Sequence, residues 1–558
     1  MAVLSRGQYT DARRTTYSDE MCPSHSSKLD HLGDFTTSPR VISISLLAIV
    51  IGFVAAFVAA GLLKLIGLCT NLFFFQRVST ELVSPAGHHL GPFVVLVPVV
   101  GALIIGVMAR YGSERIRGHG IPEAIEAILM HGSRVEPKVA LLKPLSSAIS
   151  IGSGGPFGAE GPIIMTGGAF GSLVAQLFHL TSNERKTLLV SGAAAGMSAT
   201  FAAPVASVML AVELLLFEWK PRSVIPVALA SVTAAAMRRH ILGLGPIFPV
   251  PPHATYIGFA GLAGCVVVGL LAGALSVGLT GAVYASEDAF ARLPIHWMWW
   301  PALGGIAIGI GGLFFPQALG VGYDVIGGLL QGDVPTRIML GVLLVKSTIW
   351  AVSLGSGTSG GVLAPLLMIG GALGGLEAHV LPFEGVGFWP LVSMGAILGG
   401  TMRSPLTGVI FALELTHDVS VMLPLLLAVT IAHGFTVLTL RRSILTEKIS
   451  RRGYHVSREY AIDPLEIIFA REVMRPVPDD APLPGGSRVF AYEDEPLRIV
   501  VFRMAETGVT ELPVVARDNE RAVGVVALND LLAARTRILD AERRRERVLS
   551  TSWLRRAG

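Results

Sequence analysis

Hydrophobic residues occupy this chain in long blocks between residues 41 and 440, and the pattern changes after Gly453. Eight windows carry no Asp, Glu, Lys or Arg: 41–63, 82–109, 161–183, 187–212, 240–286, 293–323, 347–376 and 419–440. Each is as long as the roughly 20 residues needed to cross a bilayer core. Such blocks predict an all-α polytopic membrane protein. Glycine is dense inside them, which predicts close helix packing and interrupted helices rather than simple lipid-facing spans. Beyond residue 454 the periods shorten. Pro496–Met504 predicts an amphipathic helix, and Leu512–Ala516 and Ala522–Val526 predict short strands around an Asp518-Asn519 turn. Asn529-Asp530 predicts a helix opened by an acidic cap. The chain therefore divides into a polar tail over 1–40, a membrane region over 41–453, a small α/β domain over 454–545 and a basic tail over 546–558.

Composition strengthens the membrane reading, since 52% of the 558 residues are hydrophobic and 15% are charged. A net charge of +4 provides no basic field for nucleic acid. Cys22, Cys69 and Cys265 are isolated and form no zinc or disulfide pattern. Residues 1–40 are polar and mixed in charge, so no cleavable signal is expected before the first block. Arg13, Arg14, Lys28 and Arg40 precede the first block, and Arg441, Arg442, Lys448, Arg451 and Arg452 follow the last. By the positive-inside rule both ends face the cytoplasm, in a multi-pass protein of the cell (inner) membrane with an even number of crossings.

An internal repeat lies within the membrane region. Thr200-Phe201-Ala202-Ala203-Pro204 leads to Glu213-Leu214, and Thr401-Met402-Arg403-Ser404-Pro405 leads to Glu414-Leu415, with nine residues from proline to glutamate in both copies. Gly152-Ser153-Gly154 and Gly355-Ser356-Gly357 keep nearly the same offset. Two halves, roughly 41–240 and 250–453, with matched glycine-interrupted segments, point to a transporter whose site lies where the halves meet. Glu213 and Glu414 are expected to hold helix ends.

Between Lys143 and Glu184 the only fully charged side chain is Glu160. A lone carboxylate at membrane depth costs roughly 2.5–3.5 kcal/mol even on lenient insertion scales, so it marks a functional site. It stands in one of three glycine-proline segments: Gly118-His119-Gly120-Ile121-Pro122, Gly158-Ala159-Glu160-Gly161-Pro162 and Gly360-Gly361-Val362-Leu363-Ala364-Pro365. Proline suits the first turn of a helix and glycine suits a tight approach to it. Each segment predicts a helix N-terminus, whose free N–H groups bind an anion without a full cation to trap it.

On these three segments the chain resembles the CLC family of chloride channels and proton-coupled chloride transporters, over roughly residues 41–453, followed by a segment similar to a CBS domain. The resemblance implies an inverted-repeat fold of broken and tilted helices. It also implies a homodimer with one pore per subunit, carrying chloride and similar small anions and, in the exchangers, protons. The family's gating glutamate falls on Glu160, where it would compete with chloride and clear the path when neutral. Backbone amides of Gly120, Ile121, Gly161, Val362 and Leu363 would bind the anion. Four positions depart from the pattern. The signature serine is His119, which would line the inner pore, and the usual basic residue before the glutamate is Ala159. The pore tyrosine is Leu445, and the inner proton glutamate of the exchangers is Leu214. Channel and H+/Cl− exchanger both stay open, while Pro162 argues against a fluoride exporter.

A rival from another class is an intramembrane serine protease, with Ser359 of Gly357-Thr358-Ser359-Gly360 as nucleophile and His433 as base. Short Gly/Ser patterns arise readily in a glycine-rich chain, and this reading explains neither Glu160 nor the repeat. In the CBS-like segment, Asp530 matches the position that contacts ribose in such domains, while the Ser or Thr expected three residues earlier is Ala527. Adenine-nucleotide binding and cofactor-free support of a dimer both remain open there. A degenerate second motif is expected around Val473–Tyr492.

Overall fold

The computed structural model describes residues 37–254, 256–453, 463–478, 489–517 and 521–543. The first 36 residues, Cys22 among them, the Asp518-Asn519 turn and the 546–558 tail lie outside the described residues. The described residues separate into two compact units, one within Phe35–Glu459 and one within Tyr460–Gly558.

In the first half of the membrane unit the helices are α1 Arg40–Phe75, α2 Leu96–Tyr111, α3 Ile121–Met130, α4 Pro137–Gly152, α5 Glu160–Gln176, α6 Ser182–Phe201, α7 Pro204–Leu210 and α8 Pro221–Ile241. The second half contains α9 Phe259–Ala291, α10 Trp300–Phe314, α11 Tyr323–Gln331, α12 Thr336–Gly341, α13 Ser347–Gly355, α14 Leu363–Glu377, α15 Phe388–Met402, α16 Pro405–Thr416, α17 Met422–Thr439 and α18 Ile444–Arg451. Among the described residues six helical stretches are long and apolar enough to span a bilayer. The chain is thus a polytopic α-helical membrane protein. On α1, Ile42, Leu46, Val50, Phe53 and Phe57 recur about once per turn and are exposed. The opposite face buries Ile44, Ala48, Ile51, Ala55 and Ala59. An apolar stripe of that length is stable outward against lipid or another apolar surface, not against water.

Not every charge-free window is one span. The 187–212 window breaks at Ala202, where φ is 54°, so that α6 ends and α7 turns back. The 347–376 window breaks over the glycines between α13 and α14. These breaks leave helix ends inside the protein rather than in lipid, where unpaired backbone groups are tolerated only if something binds them.

The repeat supplies such partners. Glu213 accepts hydrogen bonds from the Leu406 and Thr407 N–H groups at 3.2 and 2.9 Å and from the Thr407 hydroxyl at 2.6 Å. Glu414 accepts from the Val205 and Ala206 N–H groups at 2.9 and 2.7 Å. Each glutamate, late in its own helix, caps the start of the matching helix in the other half. Such an exchange requires α7 and α16 to run antiparallel, as in an inverted repeat. Removing either carboxylate orphans two helix-start N–H groups, at roughly 1–3 kcal/mol each. Glu213→Ala and Glu414→Ala are each expected to lower the stability of the purified protein in a denaturant titration. Unchanged midpoints would remove the clasp role.

In the second unit the strands β1 Arg475–Pro476, β2 Ala491–Tyr492, β3 Glu511–Val515 and β4 Ala522–Ala527 form one sheet in the order β1-β4-β3-β2. β3 and β4 pair antiparallel as predicted, while β2 joins β3 in parallel. The helix between them, Leu497–Thr507, makes that parallel connection. It buries Leu497, Val500 and Met504 among Leu512, Val514, Val526 and Leu531.

Candidate functional site

The three glycine-proline segments, far apart in sequence, meet in the middle of the membrane unit. The Gly118 N–H donates to Thr358 O at 3.1 Å, and the Gly360 N–H donates to Gly118 O at 3.4 Å. Gly158 and Gly361 exchange two bonds, Gly158 N–H to Gly361 O at 3.2 Å and Gly361 N–H to Gly158 O at 2.9 Å. These short bridges set the starts of α3, α5 and α14 beside one another, so that Gly120, Ile121, Gly161, Val362 and Leu363 share one locus. All five are buried.

Glu160 is the first residue of α5 and is fully buried. Its Oε1 accepts the Ala364 N–H at 2.9 Å, while Oε2 has no hydrogen-bond partner among the described residues. The carboxylate therefore rests on the positive end of α14, within a residue or two of the Val362 and Leu363 amides. The space it fills exists because Gly158 has no side chain, since a β-carbon there would overlap the carboxylate itself. Gly161 is more constrained, because a β-carbon would run into the His119 carbonyl oxygen, which is backbone.

Two buried lysines, not singled out from sequence, hold the loops around this locus. Lys143 on α4 donates to Ile116 O and Gly118 O, both at 2.8 Å. Lys346 donates to Ala318 O at 2.9 Å and to Gly320 O at 2.7 Å. Each bonds the first carbonyl of a Gly-x-Gly turn, Gly118-His119-Gly120 or Gly320-Val321-Gly322, and the carbonyl two residues before it, where the chain leads into α3 or α11. All four of these glycines have positive φ. The first signature thus has a structural counterpart in the second half that its sequence does not advertise. An ammonium buried at this depth is tolerated because carbonyl oxygens replace its water. Glu123 completes the support, accepting the Gly120 N–H at 2.9 Å and the Lys448 ammonium at 2.5 Å.

A cavity of about 600 Å³ opens at the face where the last long helix ends, and its lining includes Gly118, His119, Glu123 and Lys448. His119 is 4% exposed, and its Nδ1 is without a partner among the described residues. Leu445 is completely buried near the start of α18. Beside it, Tyr284 of α9 donates its hydroxyl to Ile444 O at 2.5 Å. A tyrosine therefore stands next to the position where the pore tyrosine is missing, but its proton is committed to a carbonyl. Leu214 is fully buried in the apolar core.

The protease pairing does not form. The Ser359 hydroxyl is bonded to Ser147 at 2.9 Å and to Ser146 at 3.2 Å, so its partners are serines rather than His433. In the second unit, Asp530 Oδ2 accepts the Ala527 N–H at 2.8 Å and Arg475 Nε at 3.2 Å. The carboxylate that would reach a ribose is engaged as a helix cap and an ion pair.

Known proteins resemble this chain in sequence and fold. A putative chloride channel protein ClcB-like from Ralstonia nicotianae is 30% identical over 60% of this chain and 80% of its own length. An H(+)/Cl(−) exchange transporter ClcA from Salmonella paratyphi B is 28% identical over 69% of this chain and 84% of its own. A slow cyanobacterial Cl−/H+ antiporter of known structure superposes with a TM-score of 0.66 at 22% identity, covering 75% of this chain and 99% of that one. A CLC-type fluoride/proton antiporter superposes at 0.60 with 19% identity, over 74% of this chain and 98% of that one. At such identities these likenesses concern the fold. Residues 470–537 match the CBS domain model. Residues 100–437, more than half the chain, match the voltage gated chloride channel model, and the protein belongs to that family, the CLC anion transporters.

Proposed function

We propose that this CLC protein passes chloride along one pathway in each subunit of a homodimer, and that Glu160 is the gate. The observation that carries the reading is the Glu160 carboxylate hydrogen-bonded to the Ala364 N–H at the start of α14. A helix N-terminus attracts any anion, and here a tethered carboxylate competes with the mobile one. Neutralising the side chain removes the competitor. The amides of Val362, Leu363, Gly161, Gly120 and Ile121 then line the anion's route, with His119 and Leu445 on the cavity side. The cavity faces the cytoplasm of a cell-membrane protein, because Lys448, Arg451 and Arg452, from the basic segment after α17, line it. The CBS domain is assigned to packing, since Asp530 is already paired.

Proton-coupled exchange is the second reading, favoured by relatives named as exchange transporters. Against it stands Leu214, an alkyl side chain at the position where the resemblance places the inner proton glutamate. The deciding measurement is the reversal potential of chloride current in reconstituted liposomes across a pH gradient. It is expected to stay at the chloride equilibrium potential. Displacement towards the proton equilibrium potential would establish exchange instead, with protons arriving through the same cavity as the anion.

A further inference from the structure

Two buried carboxylates lie at opposite ends of α14. Glu160 rests on its start, and Glu377 is its last residue. Between Lys346 and Glu384 no side chain other than Glu377 carries a full charge. Glu377 is 5% exposed, and neither of its carboxylate oxygens has a hydrogen-bond partner among the described residues. No charged side chain among those residues offsets it. His379, two residues on, is engaged elsewhere, with Nδ1 on Gly375 O at 3.0 Å and Nε2 on the Thr336 hydroxyl at 3.2 Å.

The two ends of the helix differ in sign. Its start offers N–H groups and about half a positive charge, which suits Glu160, while its end offers carbonyls and about half a negative charge. Glu377 adds a carboxylate to that negative end, where a buried charge is stable only when paired or bound to a metal ion. A further oxygen is at hand. Ser393 of α15 is fully buried and its hydroxyl lies against the Glu377 carboxylate, yet it too has no partner of normal hydrogen-bond geometry. Three unpartnered oxygens from two helices thus meet at one spot. Hard cations take such oxygen sets, with water filling the remaining positions. Water is near, because Ala378, His379 and Val380, directly after the helix, are exposed. One carboxylate balances one positive charge, whereas a divalent ion would leave a net charge among apolar side chains. With 15 residues in α14, this spot lies roughly 22 Å from the amides at its start.

We propose that Glu377 and Ser393 form a binding site for one small monovalent cation, of the sodium class, at the end of α14 remote from the anion locus. The bound ion offsets the carboxylate and ties α14 to α15. The test follows the thermal midpoint of the purified full-length protein in sodium chloride and in choline chloride at equal concentration, which holds chloride constant. Sodium is expected to raise the wild-type midpoint saturably by about 2–4 °C, as for a ligand in several-fold excess over its dissociation constant. Glu377→Gln is expected to abolish that rise. Ser393→Ala is expected to raise the half-saturating sodium concentration about fivefold, the loss of one net polar contact. An equal rise in Glu377→Gln would mark a general salt effect and overturn the site. A wild-type midpoint that ignores sodium and rises only on acidification would also overturn it, because the carboxyl would then hold a proton. Should Glu377→Gln not fold, Ser393→Ala and the binding of radioactive sodium to wild-type protein still decide, with unchanged half-saturation or no saturable binding refuting the site. The readout does not involve chloride flux, so the site stands or falls separately from the transport reading.

Discussion

Glu160→Gln is expected to carry chloride at neutral pH about tenfold faster than the wild type and to lose the acid activation of the wild-type flux. The amide end of α14 has a limited number of N–H groups, and the Ala364 N–H is given to the Glu160 carboxylate at 2.9 Å. A hydrogen bond to an ionised acceptor is roughly twice as strong as a neutral one, and a difference of about 1.4 kcal/mol is a factor of ten. Glutamine keeps the shape but drops the charge, so chloride meets a weaker rival for the same amides. Acid achieves the same neutralisation in the wild type, and the direction follows from that. Wild-type flux rises as pH falls, and the variant's flux stays flat over roughly pH 5–8, where neither glutamine nor the backbone titrates. Liposome chloride efflux measured at several external pH values checks this. A variant that kept the wild-type pH response would shift the gate elsewhere, with His119 the next titratable group on the path.

Much of this site was legible because its chemistry is local. A proline beside glycines marks a helix start whatever the rest of the chain does, and three such marks gave the three amide ends that the fold brings together. Glu160 stood out because a carboxylate without nearby charges is costly in a membrane. The partners that depend on distant pairing were not legible. Lys143 reads in sequence as the edge of an apolar block, yet it is fully buried and bonded to two loop carbonyls. Lys448 reaches Glu123 across 325 residues. Tyr284 meets Ile444 across 160. The second-half turn Gly320-Val321-Gly322 escaped because it lacks the proline that marks the first-half signature, although its backbone follows the same course. Within the blocks, the positions of the breaks were blurred for a related reason. Apolar content fixes where chain avoids water, and the left-handed residue Ala202 that reverses it carries no hydropathy signal.

Gly158→Ala is expected to reproduce the open behaviour of Glu160→Gln without touching the glutamate. The backbone at Gly158 is not left-handed, so alanine fits its conformation. The collision is with the Glu160 carboxylate, the mobile end of a side chain, and it is relieved by swinging that group off the α14 amides. The two bonds between Gly158 and Gly361 involve backbone only and survive the change. Chloride efflux at neutral pH should therefore rise towards that of Glu160→Gln, with the thermal stability of the purified protein nearly unchanged. Gly161→Ala provides the contrast. Its new methyl meets the His119 carbonyl oxygen, which cannot rotate away without breaking the turn that Lys143 clamps. That variant should lose both stability and transport. If Gly158→Ala instead lost transport as Gly161→Ala does, the glutamate would be a fixed part of the pore wall, and its place on the α14 amides would be structural rather than competitive.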